Sequence, residues 1–78
     1  MRKQTFKLVF EPDPAGGYTV TVPTFPGCVT YGANLEEARA MAREAISLYI
    51  EDMAADGEEI PKEDTSLMGT IEVDVAAA

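Results

Sequence analysis

Val22-Pro23-Thr24-Phe25-Pro26-Gly27-Cys28 runs on through Val29-Thr30-Tyr31-Gly32-Ala33-Asn34-Leu35-Glu36-Glu37-Ala38, and the order of residue types in this stretch decides the fold. Pro23 has no N–H to give a ladder, so it closes the strand before it. Pro26-Gly27 is a turn dipeptide. Phe25, set just before that turn, is placed to plug one end of a core. Cys28 to Tyr31 are β-branched and aromatic enough to make a short strand. Asn34 then offers a helix N-cap, with Glu37 three residues later in the manner of a capping box. Glu36 and Glu37 fall in the first turn, where the helix dipole favours negative charge.

Upstream of the corner, Phe6, Leu8 and Phe10 alternate with Thr5, Lys7, Val9 and Glu11, the period-two signature of a strand with one apolar face. Pro12-Asp13-Pro14-Ala15-Gly16-Gly17 reverses the chain, and Tyr18, Val20 and Val22 alternate with Thr19 and Thr21 on the way back. This is a hairpin with a loop longer than two residues. Gly16-Gly17 is not a phosphate-cradling loop, since such a loop opens a helix and a strand follows here.

Downstream, Leu35, Ala38, Ala42, Ala45, Ile46, Tyr49, Ile50 and Met53 recur at spacings of three and four. They mark one face of a helix running from Leu35 to about Asp56, with Gly57 as the residue that stops it. Ala38, Ala42 and Ala45 allow that helix to lie close to a sheet. Glu37, Ala40, Glu44, Ser47 and Glu51 occupy the opposite side. Pro61 prevents continuation, and Ile60 is placed to fold back as an anchor. Ile71, Val73 and Val75 alternate with Thr70, Glu72 and Asp74, which predicts a fourth strand. Ala76-Ala77-Ala78 reads as a flexible tail.

These elements compose an α+β domain of order β-β-β-α-β. The crossover through the helix sets the fourth strand parallel to the first. The expected arrangement is a four-stranded mixed sheet of order 3-2-1-4 with the helix on one face. The other face would show Thr5, Lys7, Val9, Glu11, Thr19, Thr21, Glu72 and Asp74, available to a partner or to a second copy of the chain. At 78 residues one domain, 1–78, is the sensible count, with a core over about residues 4–75.

The net charge of −8 is unevenly distributed. Residues 1–35 hold three bases and two acids, for +1; residues 36–78 hold three bases and twelve acids, for −9. Such a surface repels phosphate backbones, which disfavours direct nucleic-acid binding. One cysteine makes no intrachain disulfide, and no apolar run suits a signal peptide or a membrane span. The location expected is cytoplasmic.

The absence of His removes Ser-His-Asp and Cys-His nucleophile systems and zinc sites built on imidazole. Cys28 has no neighbouring cation or base and reads as a small core hydrophobe. Glu11, Asp13, Glu44 and Asp74 are the nearest candidates for a two-metal nuclease site, but their phases on the predicted elements do not let them converge. No catalytic, metal or cofactor residue is assigned. Glu37, Glu44 and Glu51 recur every seven residues, roughly 10 Å apart along the helix at ~1.5 Å per residue. That stripe, extended by Asp56, Glu58 and Glu59, is either a solvated face or a docking surface for Lys and Arg on another protein.

The combined pattern resembles the HicB family of antitoxins. It is carried by Phe6-Lys7-Leu8-Val9-Phe10-Glu11, Gly17-Tyr18-Thr19-Val20-Thr21-Val22-Pro23, Phe25-Pro26-Gly27-Cys28-Val29-Thr30-Tyr31-Gly32, Leu35-Glu36-Glu37-Ala38, Ala45-Ile46 and Tyr49-Ile50, and continues to Gly57 and Ile60-Pro61. The resemblance implies a partial, catalytically inactive ribonuclease H-like domain. It also implies a partner: a small basic toxin, HicA, that cleaves mRNA and is masked when bound. Dimers or higher homo-oligomers are implied as well. Many HicB proteins carry a further DNA-binding domain; only about three residues follow the predicted fourth strand here, so DNA binding is not carried over. The expectation is therefore a non-enzymatic antitoxin, with Glu37, Glu44, Glu51, Asp56, Glu58 and Glu59 as its partner-binding residues. A solitary protein-interaction module without a toxin is the alternative.

Overall fold

The computed structural model describes residues 2–76. Three short strands, β1 (Val9–Pro12), β2 (Tyr18–Thr21) and β3 (Val29–Gly32), precede one long helix, α1 (Leu35–Ala55). The sheet is antiparallel in the order β1-β2-β3. Val9 pairs with Thr21, Phe10 with Val20 and Glu11 with Thr19, while Val20 faces Thr30 and Tyr18 faces Gly32. Because side chains alternate across a strand, Phe10, Val20 and Tyr18 share the helix side, and Val9, Glu11, Thr19, Thr21, Val29 and Tyr31 share the open side.

β1 begins later than the alternation from Thr5 predicts. The residues that would oppose positions 5–7 lie in the corner after Val22, where the chain turns away from the ladder. Val22 N–H donates to Cys28 carbonyl at 3.1 Å, Phe25 N–H to Val22 carbonyl at 3.0 Å and Cys28 N–H to Phe25 carbonyl at 2.9 Å. These bonds satisfy the loop backbone internally, as a loop folded over a core requires. They hold Phe25 as the largest fully buried side chain, 2% exposed. Its ring stacks on Tyr49 with centroids 4.6 Å apart and meets Phe6 at 5.4 Å. Phe6 and Leu8 thus still face the core although they make no ladder. The corner plugs one end of the core as its sequence predicts.

The core has two parts. Val20 packs with Ala38 and Ala42 under Leu8, Phe10 and Tyr18. Val22, Phe25 and Cys28 pack with Ile46, Tyr49, Ile50 and Met53. Ala38 and Ala42 are wholly buried, so the small residues do let α1 lie against the sheet. The approach is closest at Gly32, where a Cβ would collide with the Ala38 backbone and come within 2.8 Å of the Glu37 carbonyl carbon. Leu35, placed by its spacing on the core face, is half exposed: it is the first residue of the helix, and the strand beneath ends at Gly32.

Both ends of α1 follow local rules. Glu37 N–H donates to Asn34 Oδ1 at 2.8 Å, and Glu37 Oε1 accepts from Ala33 N–H at 3.2 Å. The reciprocal bond of the capping box is therefore made one residue earlier than the pattern predicts. At the other end Glu58 N–H reaches Met53 carbonyl at 2.9 Å and Gly57 N–H reaches Ala54 carbonyl at 3.1 Å, a Schellman stop with Gly57 at its C′ position.

The predicted fourth strand is not in the sheet. Residues 58–76 carry no regular secondary structure. Ile60 is half-buried beside Phe6 and Phe10, the anchor role expected of it. Residues 61–66 then run along residues 4–7, held by side chains: Gln4 Nε2 donates to Pro61 carbonyl at 2.8 Å, Thr5 N–H to Glu63 Oε1 at 2.8 Å and Lys7 Nζ to Ser66 Oγ at 2.9 Å. Beyond Ser66 the chain leaves the body, and Ile71, Val73 and Val75 are 87%, 68% and 88% exposed. The expected order 3-2-1-4 is corrected to 3-2-1. A period-two pattern requires a face to bury, and this segment finds none within its own chain. The radius of gyration, 15.7 Å, exceeds the ~11.5 Å of a packed chain of this length. Of the predicted tail, Ala77 and Ala78 lie outside the described residues.

Candidate protein-binding surface

The acidic stripe is present and exposed. Glu37, Glu44, Glu51, Asp56, Glu58 and Glu59 all face solvent. They do not form one uniform row. Glu37 is committed to the helix start through its bond from Ala33 N–H, and Asp56 is the C-cap residue. Glu44 and Glu51 make no such bond among the described residues. Lys7–Asp64, at 3.7 Å, is the sole ion pair among the described residues, so no helix carboxylate is neutralised by a partner in the chain. Arg39 and Arg43 lie on the other flank of α1, toward the strand edge at β1. The helix separates its charges, with bases toward β1 and acids toward solvent.

Beside the acids lies an apolar component that periodicity did not reveal. Leu48 is 60% exposed and Val29 57%. With Ala45, Ala55 and the backbone of Gly27 they form a shallow groove between the corner and α1, bordered by Glu51 and Asp52. Asp52, Leu48 and Val29 are the residues that sequence reasoning missed. A signal was available for Leu48 and Met41: both are apolar, seven apart, and outside the spacing of the buried face. On the open side of the sheet, Val29 and Tyr31 join the expected Val9 and make that face more apolar than predicted. Tyr31 is anchored at the hairpin, its hydroxyl donating to Gly16 carbonyl at 2.7 Å.

Cys28 sits under this groove, buried and reduced. Burial raises its thiol above the ordinary range, the opposite of what a nucleophile needs. Its surroundings are those of a small core residue, as its sequence context predicts. Among the described residues, no three acidic or thiol side chains converge as a metal site would require. No helix among them is long and apolar enough to cross a membrane.

Residues 6–74 match the family described as HicB-like antitoxin of bacterial toxin–antitoxin systems. The chain belongs to the HicB-like antitoxin family. Relatives include an uncharacterized 14.9 kDa protein of Haemophilus phage HP1, 54% identical over 59% of this chain and 35% of that protein. A UPF0150 protein of Thermoplasma acidophilum is 38% identical over 74% of this chain and 84% of its own length. Antitoxin HicB 1 of Photorhabdus laumondii is 34% identical over 78% of this chain and 39% of its own length. The matched part thus spans only about a third of the phage protein and two fifths of the Photorhabdus antitoxin, but most of the archaeal relative. The HicB-like domain matches to residue 74, well past the corner and helix. The segment that leaves the body is therefore part of the family pattern.

Proposed function

We propose that this HicB-like chain is an antitoxin that binds and inhibits a small basic mRNA-cleaving toxin of the HicA type. The observation that carries the reading is the flank of α1, where unpaired Glu51 and Asp52 border exposed Leu48 in a groove that Val29 of the sheet edge also lines. Apolar side chains framed by charge are the anatomy of a protein interface, with an apolar centre and a polar rim. The acids accelerate encounter with a basic surface and select for it; the apolar floor supplies the contact that persists. A ribonuclease must present cations to its RNA, and a surface of this kind competes for the same cations. Glu58 and Glu59, past the helix end, extend the attractive field, and Glu37 and Asp56 add to it while capping the helix.

In this reading the chain acts by occlusion and not by catalysis, in the cytoplasm, as a homodimer or higher homo-oligomer. A partial ribonuclease H-like sheet belongs to the same reading, on condition that a fourth strand joins the three present. The test is to titrate the purified chain against a HicA-type toxin from the same genome, following complex formation and RNA cleavage. Glu44→Lys with Glu51→Lys should slow association about tenfold or more at low salt. Absence of any complex at low salt, with RNA cleaved as fast as by toxin alone, refutes the proposal.

A further inference from the structure

Residues 67–76 have the composition of a strand and the surroundings of none. Three facts determine what they pair with. The first is register. Gln4 meets Pro61, Thr5 meets Glu63 and Lys7 meets Ser66, at sequence separations of 57, 58 and 59. Carried forward at 59, Val9–Pro12 stand level with residues 68–71 (9 + 59 and 12 + 59). Ile71 would reach the last residue of β1, and Val73 and Val75 would lie past its end. In the register set by the chain's own anchoring, β1 therefore leaves Val73 and Val75 without a partner strand.

The second fact is a vacant receiving surface. β1 is an edge strand, with β2 on one side only. Between α1 and residues 2–10, to which β1 contributes Phe10, lies a groove of about 830 Å³ whose apolar lining includes Phe6, Leu8, Phe10, Ile46, Ile50 and the chain's own Ile60. An open edge above an apolar groove is a template for one more strand. Ile71, Val73 and Val75, all on one side of an extended segment, fit the groove.

The third fact is charge. The ionisable side chains lining the groove are Arg2, Lys3, Arg39 and Arg43, with no acid among them. Residues 63–76 contain Glu63, Asp64, Glu72 and Asp74 and no Lys or Arg. Most of the chain's bases surround the groove and the segment is wholly acidic; Glu72 and Asp74 fall on the face opposite Ile71, Val73 and Val75, so the attraction is between net charges and not through contacts inside the groove.

We infer that the 67–76 segment of one copy adds as the fourth strand to the outer edge of β1 in a second copy, its Ile71, Val73 and Val75 covering the partner's groove. Two-fold symmetry makes the exchange reciprocal and leaves neither groove open. Each copy then has the four-stranded sheet that neither builds alone. The inference rests on register, edge and charge, not on the antitoxin reading; failure to bind a toxin leaves it standing.

Sedimentation equilibrium of the full chain should give twice the chain mass of 8.4 kDa. Val73→Lys places a cation in a groove whose ionisable lining is wholly basic and should raise the dissociation constant at least about 100-fold. Residue 73 is exposed within its own copy, so the helix ellipticity of that variant should be unchanged. Zero-length carbodiimide coupling of an equimolar mixture of unlabelled and ¹⁵N-labelled chains reads the exchange directly. Peptides joining Glu72 or Asp74 to Lys3 or Lys7 should appear in mixed-isotope form. Coupling confined to chains of like isotope, a single-chain mass in solution, or a dimer indifferent to Val73→Lys each overturns the inference.

Discussion

Truncating Phe25 tests whether the corner is an energetic element of the core or only a connection. The side chain is 2% exposed, stacked on Tyr49 at 4.6 Å and tilted against Phe6 at 5.4 Å. Val22, Cys28, Ile46, Ile50 and Met53 share its cluster. Replacing a buried Phe by Ala costs about 3–5 kcal/mol, combining lost transfer energy with the cavity left behind. The corner backbone is fixed by its bonds among Val22, Phe25 and Cys28, so it cannot collapse into that cavity, which places the cost in the upper half of the range. A chain of 78 residues at ~0.05–0.15 kcal/mol per residue has a total stability of about 4–12 kcal/mol. Phe25→Ala therefore removes a large fraction of it. Phe25→Leu keeps most of the apolar volume and loses two ring pairs, about 0.5–1.5 kcal/mol each, or about 1–3 kcal/mol together. Urea titration followed by helix ellipticity measures both; with a slope of ~1 kcal/mol/M the Leu variant should move the midpoint down by about 1–3 M. An Ala variant within ~1 kcal/mol of the parent would show that the corner contributes nothing to holding helix and sheet together, and would refute the reasoning.

Gly32→Ala drives a Cβ into the first turn of α1, where the obstructing atoms are Ala38 and Glu37 backbone; a loss of about 2–3 kcal/mol or more is expected. Gly69→Ala, with open space around it, serves as control, and equal urea midpoints for the two variants contradict the packing described. Asn34→Ala removes the acceptor of Glu37 N–H and should cost about 1 kcal/mol; Asn34→Asp should restore it in the same titration. Asp64 is held below its ordinary value of 3.8, first by hydrogen bonds from Ser66 and then by the charge of Lys7. A depressed carboxylate stabilises above its unfolded pKa and loses that contribution as pH falls through the folded one. Docking of residues 61–66 on residues 4–7 should therefore hold above pH ~4 and loosen below it. The Ser66 amide resonance reports the change; a profile identical in Asp64→Asn shows that another group is responsible.

The sequence by itself determined the elements whose causes are local. Pro23 and Pro26-Gly27 make the corner, Asn34 and Glu37 start the helix, Gly57 stops it, and the three-and-four spacing of Ala38, Ala42, Ile46 and Tyr49 selects its buried face. Each is a backbone or side-chain preference satisfied within a few residues, so reading the residues suffices. The family pattern was legible for the same reason, being an ordered series of such pieces. What only the tertiary structure decided depends on distance. Glu37 read both as a capping-box residue and as an acid of the stripe; only the structure puts its carboxylate on Ala33 N–H and not on the N-cap residue. Leu48 and Val29 became a candidate contact surface only once the corner and the helix were placed side by side. Ile71, Val73 and Val75 alternate as a strand does, and alternation specifies a face to bury but not where the burying surface is. That depends on the anchoring of residues 61–66 along residues 4–7, which carries the segment past the end of a four-residue β1. Hydrogen-bond ladders are pairwise, and the pairing of the fourth strand depends on a register that no single stretch of sequence contains.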